Sequence, residues 1–368
     1  MKIIKYNSIG RSFLLLIFIS SILLISCNSC NKDNNDDSFP NTDDTSNIND
    51  DPNDIAGLEF SNSPIDLEGI LANYAKDINY GDFSDNTFDV FLPESNTPTS
   101  LVIFIHGGGF IGGSKNYFYS YHESQNWDFP EEIRTFLRNN IAVATINYRI
   151  LKENDSEGVI KPLTDGKKCL QYIRYIDDLL NINKNKIALY GVSAGAGTSL
   201  WLAFHAEMAD AVNADLVLQE STRVLGAAVL ETQATYDLVR WATDVFSFYD
   251  VTFEELVAID EQRVLSFYGI NDINDIDSPE IIDYRASVDM LAMISADDPE
   301  YWASNIIREI DPPTNLGLVT HHAFHAKTLK EQADLIGLSN ISYYGNPILF
   351  SDPSEETSVE YLIRKLTE

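Results

Sequence analysis

The tightest constraint on this chain is the pentapeptide Gly191-Val192-Ser193-Ala194-Gly195, set between the β-branched run Ile187 to Tyr190 and a helical stretch that begins near Ala196. Strand, small-residue turn and helix in that order make a sharp elbow that lifts one serine hydroxyl clear of the backbone. A second apolar run, Leu101 to Ile105, ends in His106-Gly107-Gly108-Gly109-Phe110. Without Cβ atoms, glycine backbone N–H groups can approach a ligand closely. The two loops together offer a hydroxyl able to attack a carbonyl and donors able to hold the resulting oxyanion.

From about Asp66 onward, short β-branched runs alternate with helical patterns, the mark of βαβ units and a mostly parallel sheet. Strands are expected at Thr87 to Leu92, Leu101 to Ile105, Ile141 to Asn147, Ile187 to Tyr190, Val224 to Leu230, Tyr301 to Ile306 and Ile341 to Tyr344. Helices are expected at Pro130 to Asn139, Leu163 to Leu180, Ala196 to Asp210 and Ala326 to Leu335. Between Glu231 and Ile294 the alternation fails, and residues such as Tyr236, Trp241, Phe253 and Phe267 mark a helical, aromatic insertion over about 232–294. An insertion after a strand is placed to act as a cap over a site. Most of its aromatics are read as packing within an extra layer, and a few as pocket lining. No repeat of solenoid period is present.

The first sixty residues belong to a different regime. Lys2, Lys5 and Arg11 precede the apolar stretch Phe13 to Ile25, whose thirteen residues fall short of the roughly 20 needed to span a bilayer as a helix. Residues 1–26 are therefore read as a signal peptide. The segment Leu24-Ile25-Ser26-Cys27 resembles a bacterial lipobox, which implies export and a lipid anchor on Cys27, with the protein held at the cell envelope on its periplasmic or outer surface. More than one acyl chain is needed for stable anchoring. Residues 27–60 read as an Asn/Asp-rich tether with too little apolar surface to fold, leaving 61–368 as the folded domain. The remaining cysteines, Cys30 and Cys169, supply no disulfide framework.

The formal charge of −31, from 56 acidic against 25 basic residues, argues against nucleic-acid binding, which needs clustered Lys and Arg to neutralise phosphates. It also repels highly anionic substrates unless the site carries local positive charge.

The ordered set Thr87-Phe88-Asp89-Val90-Phe91-Leu92-Pro93, His106-Gly107-Gly108-Gly109-Phe110, Asn147-Tyr148-Arg149, Asp165 before a helix and Gly191-Val192-Ser193-Ala194-Gly195 resembles the α/β-hydrolase superfamily. More narrowly it resembles the carboxylesterase and feruloyl or acetylxylan esterase-like branch with the HGGG loop. The match is specific from about Asn86 to Phe204. The resemblance implies an α/β-hydrolase fold with flanking helices and a helical cap. It also implies a serine hydrolase that cleaves carboxylic esters through an acyl-enzyme on Ser193, with Gly108, Gly109 and Ala194 around the oxyanion. A small-molecule or polysaccharide-linked ester is the expected substrate, and contact with a membrane is expected through the lipid anchor alone. His106, Tyr148, Arg149 and Asp165 are read as bracing the glycine loop.

The chain departs from that pattern at its end. The family places the acid after the penultimate strand and the histidine after the last one, yet no histidine follows Ile341 to Tyr344. His205 lies three helical turns beyond Ser193, too far along the axis to serve. The remaining cluster, His321, His322 and His325, follows Asp311-Pro312-Pro313. From it His322 is taken as the base and Asp311, near the family's acid position, as the acid, with Glu309 as its competitor. Asp297-Asp298-Pro299 is read as a turn. The H-x-x-H spacing at 322–325 lacks a third ligand, so no metal or other cofactor is expected. The empty final loop motivates a second reading, a catalytically impaired hydrolase that binds a ligand at the cell surface.

Overall fold

The structure, a computed structural model, describes residues 57–368; the segment read above as a signal peptide, Cys27 and the stretch read as a tether up to residue 56 lie outside the described residues. The described strands are β1 (Phe60–Ser61), β2 (Ala72–Asn79), β3 (Thr87–Pro93), β4 (Thr99–Ile105), β5 (Tyr121–His122), β6 (Trp127–Asp128), β7 (Ile141–Ile146), β8 (Ile182–Val192), β9 (Ala227–Leu230), β10 (Tyr301–Asn305), β11 (Asn340–Tyr344) and β12 (Phe350–Ser351). Strands β5 and β6 pair as a separate ribbon, and the others form one sheet in the order β1-β2-β3-β7-β4-β8-β9-β10-β11-β12. From β7 to β11 every neighbouring pair is parallel. Antiparallel strands close both edges.

The central strands are apolar on both faces because both faces are covered. In β4, Leu101, Ile103 and Ile105 enter one core cluster while Val102 and Phe104 enter the other, as the two-residue period of a strand requires. Helices α1 (Phe129–Arg138) and α11 (Ser358–Thr367) cover the Phe104 face, where Phe104 stacks on Phe118 with ring centroids 3.9 Å apart. Helices α2 (Ile160–Tyr175), α4 (Ala194–Phe204) and α10 (Ala323–Ile336) contribute to the opposite cluster. The result is a three-layer sandwich of helices, sheet and helices.

Two elements differ from their sequence pattern. The helix expected over Leu163 to Leu180 breaks at Ile176 into α2 and the short α3 (Asp177–Leu180), which ends at Asn181 in a left-handed conformation. The helix after Ser193 stops at Phe204, where the backbone of His205 becomes extended and its carbonyl accepts a hydrogen bond from the Arg223 guanidinium. Strand β2 escapes the pattern because half of its 8 residues are polar and a bulge between Ala75 and Ile78 disturbs the alternation.

The region after β9 folds as α5 (Phe253–Val257), α6 (Glu261–Tyr268), α7 (Pro279–Ser287) and α8 (Met290–Met293), with irregular turns between them. It is pinned to α4 by polar bonds: the Tyr236 hydroxyl donates to the Ala194 carbonyl at 3.0 Å and the Trp201 indole to the Ser287 carbonyl at 3.0 Å. This anchors the cap to the first and last thirds of the helix that follows Ser193. The remaining helix, α9 (Leu316–His321), lies between β10 and α10.

Candidate active site

Ser193 occupies the tip of the elbow between β8 and α4 with φ 53° and ψ −115°, a sparsely populated conformation that costs on the order of 1–3 kcal/mol and persists only where the surroundings enforce it. Enforcement comes from both sides. The Ser193 N–H donates to the Leu230 carbonyl at 2.9 Å, and its carbonyl accepts from the Gly197 N–H at 3.0 Å. A Cβ at Gly195 would lie 2.0 Å from the Ile105 carbonyl oxygen, so only glycine lets the start of α4 sit against the end of β4.

The glycine loop after β4 lies beside this serine. Gly108 has φ +109°, and a Cβ there would meet the Gly112 carbonyl oxygen at 2.1 Å. The Tyr148 hydroxyl donates to the carbonyls of His106 and Gly107, and its ring stacks on His106 at 4.3 Å. Burial holds His106 down at a pKa of about 4, while Arg149 makes a two-pronged ion pair with Asp165 behind the loop. Among the described residues, the N–H groups of Gly108 and Gly109 donate to no backbone carbonyl. Gly108, Gly109, Ser193 and Ala194 line one cavity of about 450 Å³, whose apolar walls include Phe110, Trp241, Phe253, Leu256, Phe267 and Leu316.

The imidazole that reaches Ser193 is His321. Its Nε2 lies 2.8 Å from the Ser193 Oγ. Asn315 caps α9, accepting from the Leu318 N–H, and the short helix carries His321 at its last position. His322, taken from the sequence as the base, is turned away. Its Nδ1 accepts from the Phe324 N–H to cap α10, and its Nε2 faces the Asp311 carbonyl at 3.1 Å and the Tyr249 hydroxyl at 3.3 Å. His325 accepts from the Ala234 N–H and its other nitrogen faces the Val319 carbonyl at 2.8 Å, inside the core. The three histidines thus divide into one facing the cavity, one helix cap and one buried brace. Adjacent residues at a helix–helix junction point in different directions, and sequence proximity alone carries no phase to separate them.

Asp311, taken from the sequence as the acid, also departs from that role. It is exposed, and its contact with the histidine cluster is made by the backbone carbonyl rather than the carboxylate. The cavity is lined by two other carboxylates, Asp260 and Glu231. Asp260 pairs with Arg263, whose guanidinium lies over Gly109. Glu231, immediately after β9, is 5 % exposed; its Oε1 accepts from the Ile306 and Ile307 N–H groups, and its Oε2 has no partner. Burial raises its carboxyl to about 7 against the pull of those bonds and of Arg308. Glu231 had a sequence signal that went unused: it is the first residue beyond a parallel strand, at the carboxyl edge where such sheets place their ligands. His321 is pushed the other way, down to about 4, by burial and by the positive charge of Arg308.

A mostly parallel sheet, a serine elbow after a central strand and a helical cap define an α/β-hydrolase. The BD-FAE family model matches residues 88–314, and the chain belongs to that family. It is 29 % identical over 161 residues to the Arabidopsis thaliana protein named Probable carboxylesterase 2, an alignment covering 42 % of this chain; the chain spans about half, 48 %, of that relative's length. Among solved structures, a truncated form of a carbohydrate esterase from gut microbiota superposes with a TM-score of 0.57 at 14 % identity, covering 82 % of this chain and 99 % of that one. The bifunctional GH43-CE protein of Bacteroides eggerthii superposes with a TM-score of 0.53 at 15 % identity, covering 79 % of this chain and 38 % of that one. At these identities the likeness is one of fold.

The unsatisfied carboxylate of Glu231 makes a measurable claim on stability. Its carboxyl is raised from the ordinary 4.5 to about 7 in the folded protein, so the folded state is penalised as pH rises through that window and the penalty is complete above it. Glu231→Gln keeps an oxygen for the two N–H groups and removes the charge. Chemical denaturation should show the variant more stable than the parent at pH 8, by on the order of 3 kcal/mol, with the gain vanishing below about pH 4.5.

Proposed function

We propose that the protein is a serine hydrolase of carboxylic esters, with Ser193 as nucleophile and His321 as its general base. The observation that carries this is the 2.8 Å contact between Ser193 Oγ and His321 Nε2 beside the glycine loop at the carboxyl edge of the sheet. A serine hydroxyl is too weak an acid to react unaided at neutral pH, and a hydrogen-bonded imidazole able to take its proton makes it a nucleophile.

In the first step Oγ bonds to the ester carbonyl carbon as its proton passes to His321 Nε2. The carbonyl oxygen becomes an oxyanion held by the N–H groups of Gly108, Gly109 and Ala194, each such donor being worth about 3 kcal/mol in the transition state. Collapse breaks the bond to the alcohol oxygen, which leaves with the proton from His321. Water, deprotonated by the same imidazole, then attacks the acyl carbon; the bond to Oγ breaks, Oγ takes back the proton from His321, and the acid leaves. The neutral resting state of His321 suits proton acceptance, and an ionised Glu231 in the same cavity wall favours the imidazolium that forms. Family membership and the kinship with proteins named as carboxylesterase and carbohydrate esterase support an ester on a small molecule or a polysaccharide as substrate.

The segment ending in Cys27 supports a further reading, that the enzyme is exported and held at the cell envelope by acyl chains on that cysteine. The acidic, apolar-poor stretch after it serves as the spacer.

Two measurements check these readings. Turnover of short aryl esters should fall by about 10³-fold or more in Ser193→Ala and His321→Ala, and fluorophosphonate labelling should disappear in Ser193→Ala. His322→Asn, which keeps a helix-capping acceptor, should stay within about tenfold of the parent. An equal loss in His322→Asn and none in His321→Ala would overturn the assignment of the base. Cells fed an alkynyl fatty acid should label the full-length protein, and Cys27→Ala should abolish that label.

A further inference from the structure

In a chain with 56 acidic residues against 25 basic ones, an arginine without a carboxylate partner is conspicuous. Among the described residues, the arginines other than Arg308 are each held by an ion pair, apart from the buried Arg174, which donates to the Arg223 carbonyl. Among the described residues, none forms an ion pair or a hydrogen bond with the Arg308 side chain. It is exposed, lines the same cavity as Ser193 and His321, and lies against Gly317 of α9, with its guanidinium carbon 3.6 Å from where a Cβ on that glycine would be. Ile307 and Leu316 flank it in the cavity wall.

This placement works against the resting protein. The charge of Arg308 acts on His321 and opposes the imidazolium that ester cleavage requires. Neighbouring Glu231 does not discharge it, because that carboxylate gives one oxygen to two backbone N–H groups and leaves the other without a partner. A cation that is unpaired, reachable from solvent and set in a largely apolar wall is a binding group for an anion that arrives with the ligand. Its planar fork matches a carboxylate, and the strong overall negative charge disfavours more highly charged groups.

Resting on the esterase reading above, we propose that Arg308 recognises a carboxylate carried by the substrate, so that the preferred substrates are acidic esters rather than neutral ones. Bound there, the carboxylate neutralises the charge that opposes proton transfer to His321, and substrate binding itself completes the electrostatics of the site. The carboxylate belongs either to the acyl half, as in a half-ester of a dicarboxylic acid, or to the alcohol half, as in an ester of an acidic hydroxy compound.

The test uses matched pairs of esters on the full-length protein. For the acyl half, para-nitrophenyl hydrogen glutarate is compared with its neutral methyl ester. For the alcohol half, para-acetoxybenzoate is compared with methyl para-acetoxybenzoate. In at least one pair the acidic member should have the higher kcat/KM, by about 10-fold or more, as befits a charge-assisted hydrogen bond. Arg308→Gln should collapse that ratio towards unity, chiefly by raising KM for the acidic member, and Arg308→Lys should retain part of it. Because the ratio is taken within one protein, any effect of the substitution on His321 itself cancels. Thermal melting confirms that each variant is folded.

If the neutral members are turned over as well as the acidic ones in both pairs, or if Arg308→Gln leaves the ratio intact, the carboxylate proposal fails and the esterase reading stands. If neither member of either pair is hydrolysed and a fluorophosphonate leaves Ser193 unlabelled, the esterase reading fails and takes this proposal with it.

Discussion

The site depends on one close approach, that of the backbone at Gly195 to the carbonyl of Ile105. It brings the start of α4 against the end of β4, which puts Ser193 and the glycine loop on the same side of the sheet. The strained backbone at Ser193, with φ 53°, follows from that geometry and is sustained by the hydrogen bond from its N–H to Leu230 at the end of β9. Three neighbouring parallel strands thus define the position of one hydroxyl. Their double-sided burial supplies the rigidity, since a packed interior transmits strain rather than absorbing it.

Against that scaffold the electrostatics of the cavity are finely divided. An imidazole held neutral, a carboxyl near 7 and an unpaired guanidinium share one wall. The apolar neighbours that desolvate the imidazole and the carboxyl also strengthen any charge interaction made in the cavity.

Much of the fold was legible in the sequence, because strands buried on both faces read as continuous β-branched runs and the two glycine loops mark where those strands end. Strand β2 hid for the opposite reason: polar residues interrupt its apolar ones and a bulge breaks the alternation. Ser193, Gly108, Gly109 and Ala194 were findable because backbone geometry demands small residues at fixed spacing, and the structure brings all four to one cavity. The base was not. The family pattern puts the histidine after the last strand, where this chain has none, and of the cluster after β10 it is His321, at the end of α9, rather than His322 that reaches Ser193. Choosing among His321, His322 and His325 required knowing that α9 stops at His321 and that His322 caps the next helix. The exposure of Asp311 and the burial of Glu231 are likewise products of tertiary packing, which no local pattern encodes.

The central claim is that Ser193 takes the acyl group and that His321 drives the step. It is tested most directly by acid-quenching the protein during turnover of a para-nitrophenyl ester and mapping the acyl mass by peptide mass spectrometry. The acyl group should appear on the peptide containing Ser193 in the parent protein, together with a burst of nitrophenolate in the first turnover, and both should be absent in His321→Ala. Turnover without an adduct on that peptide, or an undiminished adduct in His321→Ala, would contradict the account.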